Sequence, residues 1–232
     1  QLGASLNLGL SYESIEVEET EGRFINDAFI GDNVSFKDEF LGVHSKYKYE
    51  NLNNKAFPTL GMLFALQVGY KNNINEAKGF AYIIPELGFD YKLVSNGQLV
   101  LATKLKGHVN FGDNFEFYQA ANLGANNGLR GYRNERFTGK NAFAQSSDIR
   151  INLSQVKTRL VPFYIGIYGG FDYGRVWVDD DLVLDPGYNS NRWNTSAGGG
   201  VFINAVDMMT FNLSAFNSDD GLRLAFKLGF GF

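Results

Sequence analysis

Hydrophobic and polar residues alternate with a period of two along most of the chain, the spacing of an extended strand with one apolar face. Leu2, Ala4, Leu6, Leu8, Leu10 and Tyr12 fall on one side of a first strand, with Ser5, Asn7, Gly9 and Ser11 on the other. Leu41, Val43, Tyr47 and Tyr49 alternate with His44, Lys46 and Lys48 in a second, and Leu60, Met62, Phe64, Leu66, Val68 and Tyr70 line one face of a third. A fourth runs from Phe80 to Leu93, where Pro85 predicts a bulge or a broken ladder because it brings no N–H to the sheet. The turn Ser95-Asn96-Gly97 leads into a fifth, with Leu99, Leu101, Leu105 and Val109 set against Lys104, Lys106 and His108. Beyond a long gap the alternation resumes in five more stretches. Ile149, Ile151 and Leu153 oppose Asp148, Arg150 and Asn152, and Phe163, Ile165, Ile167 and Phe171 oppose Tyr164, Tyr168 and Asp172. Strands about Val201 and Phe211 follow, and a last one carries Leu222, Leu224, Phe226, Leu228, Phe230 and Phe232 against Arg223 and Lys227. No amphipathic helix of useful length interrupts them.

Alternation alone does not say whether the apolar stripe faces a soluble core or lipid. The strands are long, matching the roughly 9–11 residues of a tilted membrane-spanning strand better than the roughly 5–6 of a globular sheet. Tyr12, Tyr49, Tyr70, Tyr91 and Tyr173 lie near strand ends, where interfacial aromatic girdles belong. Longer connections are expected after the odd-numbered strands and tight turns after the even ones, as when only one side faces the exterior. These features predict an all-β fold: a transmembrane antiparallel up-and-down barrel of about ten strands, twelve if others precede Gln1, in a single domain over residues 1–232. The polar face then lines a lumen, with His44, Lys46, Lys48, Lys104, Lys106, Arg150, Arg223 and Lys227 as a basic lining.

Composition narrows the chemistry. The 232 residues contain no cysteine, which excludes disulfides and thiolate metal sites, and a formal net charge of −4 argues against a nucleic-acid binder. His44 and His108 are the only histidines, and both stand among lysines on strands without a paired serine motif, so no enzyme is expected. The acidic runs Glu16 to Glu21 and Asp179 to Asp181 lack the spacing of a calcium loop and read as solvated exterior loops, so neither metal nor cofactor is expected.

The gap between the fifth and sixth strands, Gly112 to Lys140, is longer than a connection needs to be, and loops of that length are usually functional or disordered. It carries Arg130, Arg133 and Arg136 among glycines and asparagines, a composition able to fold back into a cavity.

Four segments bear a resemblance. Leu129-Arg130-Gly131-Tyr132 resembles the loop motif of the bacterial surface-antigen family of outer-membrane assembly factors, the BamA/TamA-like barrels. Ser146 to Leu153 is similar to that family's following strand, with an acidic residue at Asp148. Gly169 to Trp177 is similar to the next, with its aromatic, aspartate and glycine at Phe171, Asp172 and Gly174. Phe57 to Gly61 looks like the start of an earlier strand, and the C-terminal Phe230 and Phe232 look like the signal read by the assembly machinery. The resemblance implies a lumenal loop whose arginine is locked by wall carboxylates. A buried guanidinium demands such partners, and parity puts Asp148 and Asp172 on the inward face. It further implies insertion or export of proteins at the outer membrane of a Gram-negative bacterium, with membrane lipid and client outer-membrane proteins as partners. Two alternatives stand beside it: a membrane anchor or export barrel for a fused upstream domain, and a small anion-favouring pore.

Overall fold

The structure, a computed structural model, describes residues 2–17, 36–55, 57–76, 78–156, 162–178, 192–205 and 209–228. Phe230, Phe232 and most of the two acidic runs lie outside them. Ten strands form one antiparallel sheet in chain order. They are β1 (Leu2–Val17), β2 (Phe36–Leu52), β3 (Gly61–Asn73), β4 (Gly79–Lys92), β5 (Leu99–Phe111), β8 (Asn141–Val156), β9 (Phe163–Trp177), β10 (Asn194–Ala205), β11 (Met209–Ser218) and β12 (Gly221–Leu228). Two short strands, β6 (Ala121–Leu123) and β7 (Phe137–Gly139), pair with each other inside the long loop. Every strand of the main sheet pairs with its sequence neighbour, the up-and-down arrangement that the alternation predicts. Among the described residues no ladder joins β1 to β12, so the barrel is open along one seam.

The direction of the apolar stripe settles the solvent. Leu10 is 85% and Leu224 71% exposed, and the outward positions between them are apolar along strand after strand. Lys104, by contrast, points inward and pairs with Glu86 at 2.9 Å. A continuous greasy exterior of this extent is stable in hydrocarbon and not in water. Tyr12, Tyr70 and Tyr91 stand exposed on this outer face. The ladder supplies partners for the backbone of interior strands, and only the two edges keep an unpaired side.

Of the local expectations, the broken ladder at Pro85 is met and the strict alternation of connections is not. Pro85 interrupts the ladder to β5, which lacks pairs between Ile83↔Val109 and Glu86↔Lys106, but the register is unaltered and no bulge forms there. A register shift occurs instead between β8 and β9, at Asn152/Ser154. Connection lengths do not alternate strictly: residues 74–78 after β3 are fewer than residues 53–60 after β2, and β11 turns into β12 through Asp219 and Asp220. The reason for the longer turn is that it is not a bare reversal. Asn53 Oδ1 accepts from Thr59 N and Leu60 N at 3.0 Å each, and Asn54 Oδ1 accepts from Phe57 N at 2.9 Å, folding the turn across the end of the lumen. Phe57 is buried there against Phe202, ring centroids 5.4 Å apart.

Candidate functional site

Residues 112–140 run inside the barrel. Far from irregular, this loop is a small folded unit, with a 3-10 turn at Phe117–Gln119 and the β6–β7 pair at its base. At its tip Leu129 N donates to the Gly124 carbonyl at 3.0 Å and Tyr132 N to the Leu129 carbonyl at 3.1 Å. Gly128 has φ +89°, a conformation that suits glycine, and a Cβ on it would strike the Ala144 methyl. Leu129 and Tyr132 are fully buried with Leu123, Phe137, Ala142, Ala144 and Val176, a core between loop and wall. Tyr132 and Phe137 meet edge to face at 5.0 Å. Burying a leucine-sized side chain contributes roughly 1.5–3 kcal/mol, so this packing helps to hold the tip down.

That core brings Arg130 to the inner face of β8 and β9. Its Nη1 donates to Asp148 Oδ1 at 2.7 Å, and its Nη2 to Asp172 Oδ1 at 2.6 Å. Nε lies 3.0 and 3.1 Å from the two Asp172 oxygens, and the Arg130 backbone N–H donates to Asp172 Oδ2 at 2.9 Å. Both carboxylates are buried. Planar fork geometry of this kind fixes orientation as well as charge. The guanidinium also lies 4.2 Å from the centre of the Phe216 ring, a cation–π contact. Ser196 Oγ donates to Asp172 Oδ2 at 2.8 Å and accepts from Gly131 N at 3.1 Å. Asp148 continues the chain of alternating charge to Arg150, whose Nη2 is 3.8 Å away, and Arg150 Nη1 reaches Asp90 Oδ1 at 3.1 Å and the Pro58 carbonyl at 3.5 Å. One ionic network therefore runs from the loop tip to the turn that covers the far end of the lumen.

The loop also spans the lumen from edge to edge. On one side Gln119 Nε2 donates to Glu13 Oε2 of β1 at 3.5 Å and Tyr118 OH to Asp38 Oδ2 of β2 at 3.3 Å. On the other, Ser218 Oγ of β11 donates to the Gly131 carbonyl at 2.8 Å, Arg223 Nη1 of β12 to the Arg130 carbonyl at 3.4 Å, and Arg136 Nε to Asp220 Oδ2 at 2.8 Å. Between the loop and the β3–β5 wall a cavity of about 330 Å³ remains, lined among others by Tyr82, Lys106, His108, Tyr118 and Asn122. At the start of the 3-10 turn, Glu116 is pushed up from the ordinary carboxylate range, by burial first and then by the like charges of Asp38 and Glu76.

The sequence-derived positions divide as follows. Leu129, Arg130, Gly131, Tyr132, Asp148 and Asp172 come together, and Gly174 is buried behind Leu123 of the loop. Phe171 does not join them: parity turns it outward, where it is 51% exposed on the lipid face. The basic lining is less basic than it reads. Lys48 pairs with Glu50 at 2.6 Å, Lys104 with Glu86 and Arg150 with Asp90, and Lys106 donates to Asn127 Oδ1 at 2.6 Å. Lys227 and Arg223 line the space beside Arg130, while His44 and Lys46 stand on β2 opposite Gly69 and Gln67 of β3. Unforeseen members are Ser196, Phe216 and Gly170. A Cβ at Gly170 would meet both Asp148 Oδ1 and Arg130 Nη2, so the lock needs its absence. The available signal was a run of small inward residues on β9 and β10, among them Gly166, Gly170, Gly174, Ser196, Gly198 and Gly200.

Fold and site define a membrane-spanning antiparallel β-barrel whose long lumenal loop is pinned to the wall by one arginine. The chain matches the Omp85 superfamily domain over residues 2–231 and belongs to that family. In fold it is similar to the crystal structure of BamA from Haemophilus ducreyi lacking POTRA domains 1–3, with a TM-score of 0.67 and 17% identity. That match covers 97% of this chain and 50% of the other, so the chain spans about half the length of that relative. Among curated proteins none matches at the sequence level.

Proposed function

We propose that this barrel inserts or exports protein substrates at the outer membrane of a Gram-negative bacterium, through the seam between β1 and β12. The observation that supports it is the combination of two unpaired sheet edges with a folded loop that holds onto both sides of the gap. An unpaired edge in a membrane is a template for another strand, since its free N–H and C=O groups have no water to bond. The loop sets the separation of the two edges by contacting β1 and β2 on one side and β11 and β12 on the other. Outward residues of β1 and β12 then offer hydrocarbon to a client strand while its backbone pairs with the edge. The working surroundings are membrane lipid, and the partners are client outer-membrane proteins.

Because the chain has no cysteine, single cysteines can carry a photo-crosslinker without background. Placed at Leu8 on β1 or Leu224 on β12, the probe captures an unfolded barrel substrate added to proteoliposomes, and at Leu101 on β5 it does not. Equal capture at all three positions, or none at the edges, overturns the proposal.

A further inference from the structure

Every outward position of β3, β4, β5, β8, β10, β11 and β12 among the described residues is uncharged, and β9 has one exception, Arg175. Arg175 lies opposite Phe143 on β8 and shares the outward parity of Ile167, Phe171 and Tyr173. An arginine on the lipid face is disfavoured at the midplane and tolerated near the interface. Its level is set by the aromatic side chains around it. Tyr173 and Trp193 have ring centroids 5.2 Å apart, Phe143 and Trp193 6.1 Å, and Trp177 and Trp193 6.2 Å, a continuous patch of the girdle at the end where the 112–140 loop enters. The guanidinium lies 5.3 Å from the Trp177 ring. Its Nε is buried without a hydrogen-bond partner. No carboxylate among the described residues pairs with it.

We infer that Arg175 and the surrounding rings form a binding site for the phosphate of an anionic lipid in the leaflet on the side of the long loops. A guanidinium presents two parallel N–H groups in the spacing of two phosphate oxygens, and indole N–H and phenol O–H groups at the interface supply further donors. The rings alone would suit a quaternary ammonium headgroup, but a fixed cation in their midst repels one and selects the anion. The acyl chains of the bound lipid run down the apolar outer face of β8 to β10. This rests on the outward orientation of the sheet and not on the seam, so the two proposals fail separately.

Both tryptophans of the chain, Trp177 and Trp193, belong to this patch, so intrinsic fluorescence reads the site directly. The protein is reconstituted in phosphatidylcholine nanodiscs containing either phosphatidic acid or phosphatidylcholine with brominated chains, which quench nearby indoles. A single basic side chain near the surface favours an anionic lipid by about fivefold, so brominated phosphatidic acid should reach half-quenching at about one-fifth the mole fraction of brominated phosphatidylcholine. Arg175→Gln should erase that preference, and Arg175→Lys should keep part of it, having charge without the fork. Equal quenching by the two lipids in the unaltered protein, a preference for phosphatidylcholine, or a preference that survives Arg175→Gln overturns the assignment. If the glutamine variant fails to fold, equal quenching by the two lipids in the unaltered protein still overturns the assignment.

Discussion

Replacing Arg130 with alanine tests whether the loop is held by charge or only by packing. The substitution removes every guanidinium donor to Asp172, leaving that buried carboxylate with Ser196 Oγ at 2.8 Å and the backbone N–H of residue 130. Asp148 keeps only Arg150, 3.8 Å away. Breaking a buried ion pair from one side costs about 3–5 kcal/mol, because the remaining charge is neither paired nor hydrated. If that cost falls on docking of the loop, the undocked population rises by about 150-fold at the lower bound, since 1.4 kcal/mol is tenfold. Limited proteolysis of residues 112–140 in liposomes reads this population directly when opening and closing are faster than cleavage. Cleavage of the Arg130→Ala variant should therefore be faster by two orders of magnitude or more. The carboxylate origin of the effect is separable: Asp172→Asn introduced beside Arg130→Ala removes the stranded charge and should recover a large part of the loss, a coupling that a double-mutant cycle measures. Cleavage within a few-fold of the unaltered protein, or additive effects of the two substitutions, would refute the reasoning and leave the Leu129–Tyr132 core as the sole anchor.

Gly128→Ala forces a Cβ onto the Ala144 methyl from a backbone at φ +89°, and should destabilise the docked tip by about 1–3 kcal/mol in the same proteolysis assay. Gly3→Ala, with nothing near its Cβ, is the neutral control. Phe57→Ala removes the ring packed on Phe202 at the far end of the lumen and should raise single-channel conductance in planar bilayers, at a stability loss of about 3 kcal/mol; unchanged conductance would show that the loop alone seals the lumen. Glu116 takes up a proton more readily folded than unfolded, so its contribution to stability is full below the unfolded pKa and lost as pH rises through the folded one. The difference in Tm between the Glu116→Gln variant and the unaltered protein should accordingly grow, in the variant's favour, as pH rises through the carboxylate range, and a constant difference would contradict this.

How much of this was legible in the chain follows from the range of the forces involved. Strand positions and facing were readable because each apolar stripe is a local, period-two pattern, and a slip of one residue would turn Leu6, Leu8 and Leu10 into the lumen. The same parity put Asp148 and Asp172 on the inner wall, within reach of Arg130. It also placed Phe171 outside, against its place in the family motif, and there parity was the better guide. What local pattern does not carry is contact between distant segments. The turn at residues 53–60 is long because Phe57 and Pro58 meet Phe202 and Arg150, partners far away in sequence. Lys104 and Arg150 read as a free basic lining because Glu86 and Asp90 belong to β4, one and two strands away across the sheet, whose register is set only once the sheet has formed. The small inward residues of β9 and β10 lie between these extremes. Gly170, Gly174 and Ser196 leave room on the wall, and the 112–140 loop fills it, with Arg130 against Gly170, Leu123 against Gly174 and Gly131 against Ser196. The position of the docked loop was thus encoded twice, once as an arginine in need of carboxylates and once as a strip of wall with its side chains removed.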